Sequence, residues 1–174
     1  MKRNSEAGFT LIELLIVVAI ISIIAAIAVP GLLRARMTGN ETSAIGSLKA
    51  TTSGQVAYSA SCGNNSYASS FTVLGTAPAG TTQAFISPDL GSAAAPVKSG
   101  YDFALVGAAG SVAGPNDCNG TATITAYYAT AIPQTFGTTG SRSFATDAGN
   151  TIFFTNTGVA PTDPVATSGA SPIQ

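Results

Sequence analysis

From Phe9 to Val29 nearly every position is apolar; only Thr10, Glu13 and Ser22 break the run. About 20 residues at a helical rise of 1.5 Å give a rod roughly 30 Å long, the thickness of a bilayer's hydrocarbon core. Pro30-Gly31 then interrupts the pattern, because proline removes a backbone hydrogen bond and kinks a helix, and glycine weakens it further. The next residues, Leu32-Leu33-Arg34-Ala35-Arg36-Met37, are good helix formers, so the helix is predicted to resume. Farther on, Ala44, Ile45, Leu48, Thr52, Gln55 and Val56 recur at three- and four-residue spacing, while Arg36, Glu41, Lys49 and Ser53 fall largely off that face. This spacing predicts an amphipathic helix laid on a core. It should end near Tyr58 to Ser61, before the turn chemistry of Cys62-Gly63-Asn64-Asn65.

Residues 62–100 are loop-rich, with short helical turns expected at Phe71 to Leu74 and Thr82 to Ile86. Strand patterns follow at Tyr101 to Val106, Thr121 to Ala129, Ser143 to Thr146 and Thr151 to Thr155, the last two flanking a hairpin turn at Asp147 to Asn150. Three or four antiparallel strands backed by the amphipathic helix make a two-layer α+β head. The pattern divides the chain into a membrane-length helix (9–30), an amphipathic continuation (31–61), a head (62–160) and a Ser-, Ala- and Pro-rich tail (161–174) expected to be loose.

Composition narrows the function. Charge is sparse and nearly balanced, with 7 Lys and Arg against 8 Asp and Glu, so no nucleic-acid partner is expected. The head draws its polarity from Ser, Thr, Asn and Gly, which reads as an exported surface. With no His, a Ser–His or Cys–His nucleophile pair is excluded and a zinc site disfavoured. There is no P-loop or dinucleotide glycine motif. No catalytic residue, metal site or cofactor is expected. Asp147 and Asp163 are the positions where loop oxygens would serve calcium, but solvated turn aspartates are the plainer reading. Asn-x-Ser/Thr triplets at Asn40, Asn64 and Asn119 are expected by chance in so hydroxyl-rich a chain, and no glycan is predicted from them. Cys62 and Cys118 read as a disulfide, with two free buried thiols as the alternative. The loop it would close, about 57 residues, is worth roughly 4 kcal/mol on chain-entropy grounds.

Glu13 decides between readings of the apolar run. Lys2, Arg3 and Ala26-Ile27-Ala28 suit a secretory signal peptide, but the run is long for one and contains a carboxylate. A plain anchor fits the length, yet a carboxylate deep in a bilayer costs on the order of 2.5–3.5 kcal/mol. If the leader is cut after Gly8, Phe9 carries a new α-amino group that would answer Glu13 of a neighbouring copy. Both buried charges would then be compensated.

Gly8-Phe9-Thr10-Leu11-Ile12-Glu13-Leu14-Leu15-Ile16-Val17-Val18-Ala19-Ile20-Ile21, followed by Ala25-Ala26-Ile27-Ala28-Val29-Pro30, resembles the N-terminus of type IV pilins and pseudopilins. The match is dense over about 35 residues, and the short leader of residues 1–8 is similar to the type IVa class. The resemblance implies cleavage after Gly8 and N-methylation of Phe9 by a prepilin peptidase. It implies assembly through Glu13, and a helix that bends at Pro30 within a pilin-like αβ-roll. The implied partners are further copies of the chain and other pilins, an assembly ATPase, an inner-membrane platform protein and an outer-membrane secretin. The precursor would sit in the inner membrane. The product would be an extracellular pilus or, alternatively, a periplasmic pseudopilus of type II secretion. Many pilins place a disulfide nearer the C-terminus, so a disulfide-bounded loop role does not transfer to Cys62 and Cys118.

Overall fold

The computed structural model describes residues 9–173. Two compact units divide the chain, one up to Arg36 and one from Met37 onward. Helix α1 spans Leu11–Ser61 with Pro30 inside it, so no break in the helix falls where the sequence predicts an interruption. Proline forfeits one hydrogen bond, and the Leu-, Ala- and Arg-rich residues around it are strong enough helix formers to carry the helix through. In the first unit the apolar side chains are uncovered, Leu15 and Ile24 at 60 % and Ile27 at 77 %.

The second unit is an α+β head, as the pattern implied. Its helices α2 (Phe71–Leu74) and α3 (Pro88–Gly91) are single turns. The first matches the expected segment and is capped by Ser70, whose hydroxyl accepts the Val73 N–H at 3.4 Å. The second starts later than the expected Thr82 to Ile86, at a proline that suits a helix's first turn.

Six antiparallel strands follow in chain order across one sheet: β1 (Val97–Lys98), β2 (Tyr101–Gly107), β3 (Tyr127–Pro133), β4 (Ser143–Asp147), β5 (Ile152–Thr155) and β6 (Ser171–Pro172). The expected strand at 121–129 is displaced, because β3 is set by its pairing with β2, Tyr101 opposite Pro133 through Gly107 opposite Tyr127. The β-branched run before it is used differently: Ile124 bridges Tyr67 and Ala113 in the loops.

One face of the sheet packs on α1. Across it, Phe103, Ala131, Phe144 and Phe154 stand in one row and Leu105, Ala129, Thr146 and Ile152 in the next. The apolar members of both rows join Ala44, Leu48 and Tyr58 of the helix in a single core, with Thr146 buried beside them. Gln55, fully buried, exchanges two hydrogen bonds of 2.9 Å with the backbone of Ala68, so its amide is satisfied. Val56, expected on this face, is half exposed, and Glu41, expected off it, is 95 % covered (5 % exposed).

Glu41 tolerates burial because it is answered at both oxygens. Oε1 accepts the Ser141 N–H and hydroxyl at 2.8 Å each; Oε2 accepts Nε and Nη2 of Arg142 at 2.9 and 2.7 Å. The guanidinium also lies 5.5 and 5.2 Å from the ring centres of Phe144 and Phe154. Burial alone would raise the Glu41 carboxyl; the Ser141 and Arg142 donors outweigh it and hold the pKa below the ordinary 4.5.

The segment from Pro161, expected to be loose, is tied across the sheet's other face. The Tyr128 hydroxyl donates to the Pro161 carbonyl, and Asp163 accepts the Ala109 N–H. Val165 is fully buried in a 3-10 turn against β4, whose Ala145 is buried opposite Thr130 of β3. Ile173 then donates its N–H to Ile152 at 2.8 Å, closing β6 onto β5. A composition rich in small polar residues gave no hint that one valine anchors this strap.

Two outcomes follow. Val165→Asp removes a contact worth about 1.5–3 kcal/mol and buries an unpaired carboxylate; the melting temperature of the full chain in detergent should fall by about 5–10 °C, whereas Ala166→Asp on the exposed side should leave it unchanged. Glu41→Gln should cost about 2–3 kcal/mol, below the figure for a fully buried pair because Arg142 keeps a third of its side chain in water. Because the folded pKa is depressed, the pair's contribution is complete above about pH 4.5 and lost as the pH falls below it. Wild-type melting should therefore drop more steeply on acidification than that of the variant.

Candidate assembly site

The N-terminal segment meets the helix start at Thr10. Its hydroxyl oxygen accepts the Glu13 N–H at 3.3 Å, while Glu13 Oε2 accepts the Thr10 N–H at 2.9 Å and the Thr10 hydroxyl at 2.6 Å. This is a capping box, which satisfies donors that the first turn of any helix leaves unpaired. The signal, Thr10-x-x-Glu13, is legible in sequence. It gives Glu13 a role within its own chain. All three bonds use Oε2 or the backbone, so among the described residues Oε1 accepts none. The positive end of the helix dipole also favours a carboxylate here.

Phe9 is 81 % exposed. Gly8 and the rest of the leader lie outside the described residues. Pro30 sits within α1, with Leu32 and Leu33 beyond it still about half exposed. Among the described residues α1 is the one helix long and apolar enough to cross a membrane.

The other candidates fall in the head. Cys62 and Cys118 are joined in a disulfide with their Cα atoms 4.8 Å apart, tying the end of α1 to the loop before β3. Beside it the Tyr58 hydroxyl donates to Asp117 Oδ2 at 2.8 Å, and burial with that carboxylate pushes the phenol well above its ordinary range. Asp117 Oδ1 accepts the N–H groups of Asn119 and Thr121, closing the turn. Sequence reasoning passed over this pair because neither residue carries a motif. Asp147 accepts the Gly149 N–H in the hairpin turn and Asp163 holds the strap, so each has a local use. No group of three metal-ligating side chains occurs among the described residues. The three triplet asparagines are engaged: Asn40 donates to Thr139, Asn64 to Asn116 and Asn119 to Ala77.

The chain thus combines an exposed helix of membrane-spanning length, opened by a capped carboxylate, with a small α+β head. Residues 3–29 match the prokaryotic N-terminal methylation motif. The chain is 47 % identical over 72 residues to the type IV wide pilus major component PilA4 of Thermus thermophilus, which covers 41 % of this chain and 53 % of that protein. The chain thus spans about half the length of the curated relative it matches. No solved structure matches it. Over these residues the chain is similar to the type IV pilin family.

Proposed function

We propose that this chain is the structural subunit of a type IV pilus-like filament. The precursor is held in the inner membrane, cut after Gly8, N-methylated at Phe9 and polymerised through its apolar helix. The observation that carries this reading is the uncovered apolar face of α1 beginning at a methylation motif with Glu13 inside it. Helices transferred from lipid to one another gain little hydrophobic energy, so packing and polar contacts supply the selectivity. Among the described residues Glu13 Oε1 accepts no hydrogen bond, so it can take the Phe9 amine of a neighbour while Oε2 stays on Thr10. A prepilin peptidase, an assembly ATPase with its platform protein and a secretin belong to the same proposal. The hydroxyl-rich head, nearly free of charge, favours a surface filament over a periplasmic pseudopilus of type II secretion.

Mass spectrometry of the mature chain should find N-methyl-Phe9 at its N-terminus. A chain starting at Met1 or Val29 would point instead to a plain anchor or a signal peptide. Deleting the chain should abolish surface filaments; loss of enzyme secretion with filaments intact would mark the pseudopilus. Glu13→Val should be processed normally yet give at least tenfold fewer filaments, and normal filaments from it would remove the amine–carboxylate pairing.

A further inference from the structure

Asn119-Gly120 is the one Asn-Gly pair in the sequence, and both residues are exposed. An asparagine followed by glycine carries its own nucleophile, because no side chain shields the next backbone nitrogen from the carboxamide. The backbone requires glycine at 120, where φ is +79°, although an added Cβ would meet nothing within 4 Å. The turn that holds the pair is closed on itself. Gly120 donates its N–H to the Asp117 carbonyl at 3.0 Å, and Asp117 donates its own to Thr121 at 2.8 Å. Asp117 Oδ1 accepts the N–H groups of Asn119 at 2.9 Å and Thr121 at 2.6 Å. Cys118, inside the turn, is fixed to Cys62 by the disulfide and by a 2.8 Å bond from its N–H to the Cys62 carbonyl.

The Asn119 carboxamide is turned outward from this turn, onto a loop 40 residues earlier in the chain. Its Oδ1 accepts the Ala79 N–H at 2.9 Å, and its Nδ2 donates to the Ala77 carbonyl at 3.3 Å. Among the described residues these are the hydrogen bonds that tie residues 77–82 to the rest of the head, since Thr81 bonds only within the loop, to Pro78. While both stand, the carboxamide cannot turn freely toward the Gly120 nitrogen, which is itself engaged with Asp117. Both bonds join exposed groups, so they open by local fluctuation without unfolding the core.

We propose that Asn119 is a site of spontaneous covalent modification, gated by its own clasp on Ala77 and Ala79. The proposal is independent of the filament reading. Once the loop lifts, the Gly120 backbone nitrogen gives its proton to water and bonds to Asn119 Cγ. The Cγ–Nδ2 bond breaks, and the side-chain nitrogen takes up a proton and leaves as ammonia. Water then opens the five-membered imide at either carbonyl. Breaking the new N–Cγ bond gives aspartate. Breaking the bond from Gly120 nitrogen to the Asn119 carbonyl carbon gives isoaspartate, with the main chain running through the former side chain. One water enters and one ammonia leaves overall, so neither an oxidant nor a second protein is needed. The product cannot restore the clasp. A carboxylate still accepts from Ala79 but has no donor for the Ala77 carbonyl, and it sets a negative charge beside that oxygen. The reaction therefore runs one way and releases the 77–82 loop from the disulfide-bearing turn.

The test incubates the full, oxidised chain in detergent at mildly alkaline pH in water enriched in oxygen-18. Peptide mapping should place the label at residue 119 before any other asparagine, as a mixture of aspartate and isoaspartate. The folded chain should react there about tenfold or more slowly than the reduced, urea-denatured chain, as two net hydrogen bonds imply. Ala79→Pro removes the N–H that Oδ1 accepts and leaves Asn119, Gly120 and Asp117 in place. With Cys62–Cys118 formed and melting within a few degrees of the unsubstituted chain, it should react about fivefold faster, the loss of one such bond. Should that variant fail to fold, hydrogen exchange on the unsubstituted chain decides. Folding should slow the reaction by the factor that protects the Ala79 N–H from exchange, to within about threefold. Label appearing first at another asparagine, no label at residue 119, or equal rates in folded and denatured chain would each overturn the proposal. So would a folded Ala79→Pro that reacts at the unsubstituted rate, or Ala79 protection outside that margin. Filament formation enters none of these outcomes.

Discussion

Some 20 apolar side chains at the start of the chain have no cover in their own fold, and every other feature of the protein accommodates that fact. Their exposure, half or more for residues such as Leu14, Ile20 and Ile27, would cost about 25 cal/mol for each Å² left in water. An exposed apolar surface of that extent marks a membrane or protein contact. The polar atoms of this segment are arranged to be tolerated there. Ser22 returns its hydroxyl to the Val18 carbonyl at 2.8 Å, and Glu13 and Thr10 satisfy each other. What remains for the helix is a choice of apolar solvent, lipid or other helices.

The head is constructed to leave that helix out of its own stability. From Glu41 onward, α1 turns one polar-tolerant face to the sheet, and the polar groups on it are met almost individually: Glu41 by Ser141 and Arg142, Gln55 by Ala68, Thr51 by its own Ser47 carbonyl. Ser47 Oγ is the buried side-chain atom left without a partner among the described residues. A disulfide at one end of this helix half and an ion pair at the other fix the sheet to it. The strap covers the far face of the sheet with Val165.

Much of this was legible in sequence because it follows from periodicity. The end of α1 at Ser61, the turn at Phe71–Leu74, the strand at Tyr101 and the hairpin around Asp147 all rest on local chemistry. What escaped was decided by distant partners. Glu41 looked solvated because a carboxylate on a helix usually is, and only Arg142, a hundred residues on, changes that. Thr121 to Ala126 had strand composition, but β2 takes its partner six residues later. The tail lacked any periodic signal, since a single buried valine and a few backbone bonds hold it. At the candidate site, Glu13 was legible as an anomaly in an apolar run, and its local partner Thr10 is legible through the capping pattern three residues before it.

That local partner changes the argument for assembly. A carboxylate without any donor in an apolar segment would demand a partner from another chain, and its presence alone would then imply a polymer. Glu13 is already met on one oxygen by Thr10 and lies in the first turn, where the helix dipole favours negative charge. Its cost in a lone, lipid-held chain would thus be lower than for an isolated charge, which would let such a chain persist in a membrane before assembly. The cap leaves the charge itself uncancelled, because hydroxyl and amide donors are neutral. A cation reaching Oε1 would add a charge-assisted bond without breaking the cap. The same side chain is therefore satisfied within its own chain and would still gain from a positively charged neighbour; on the filament proposal, the force toward assembly lies in that remaining gain.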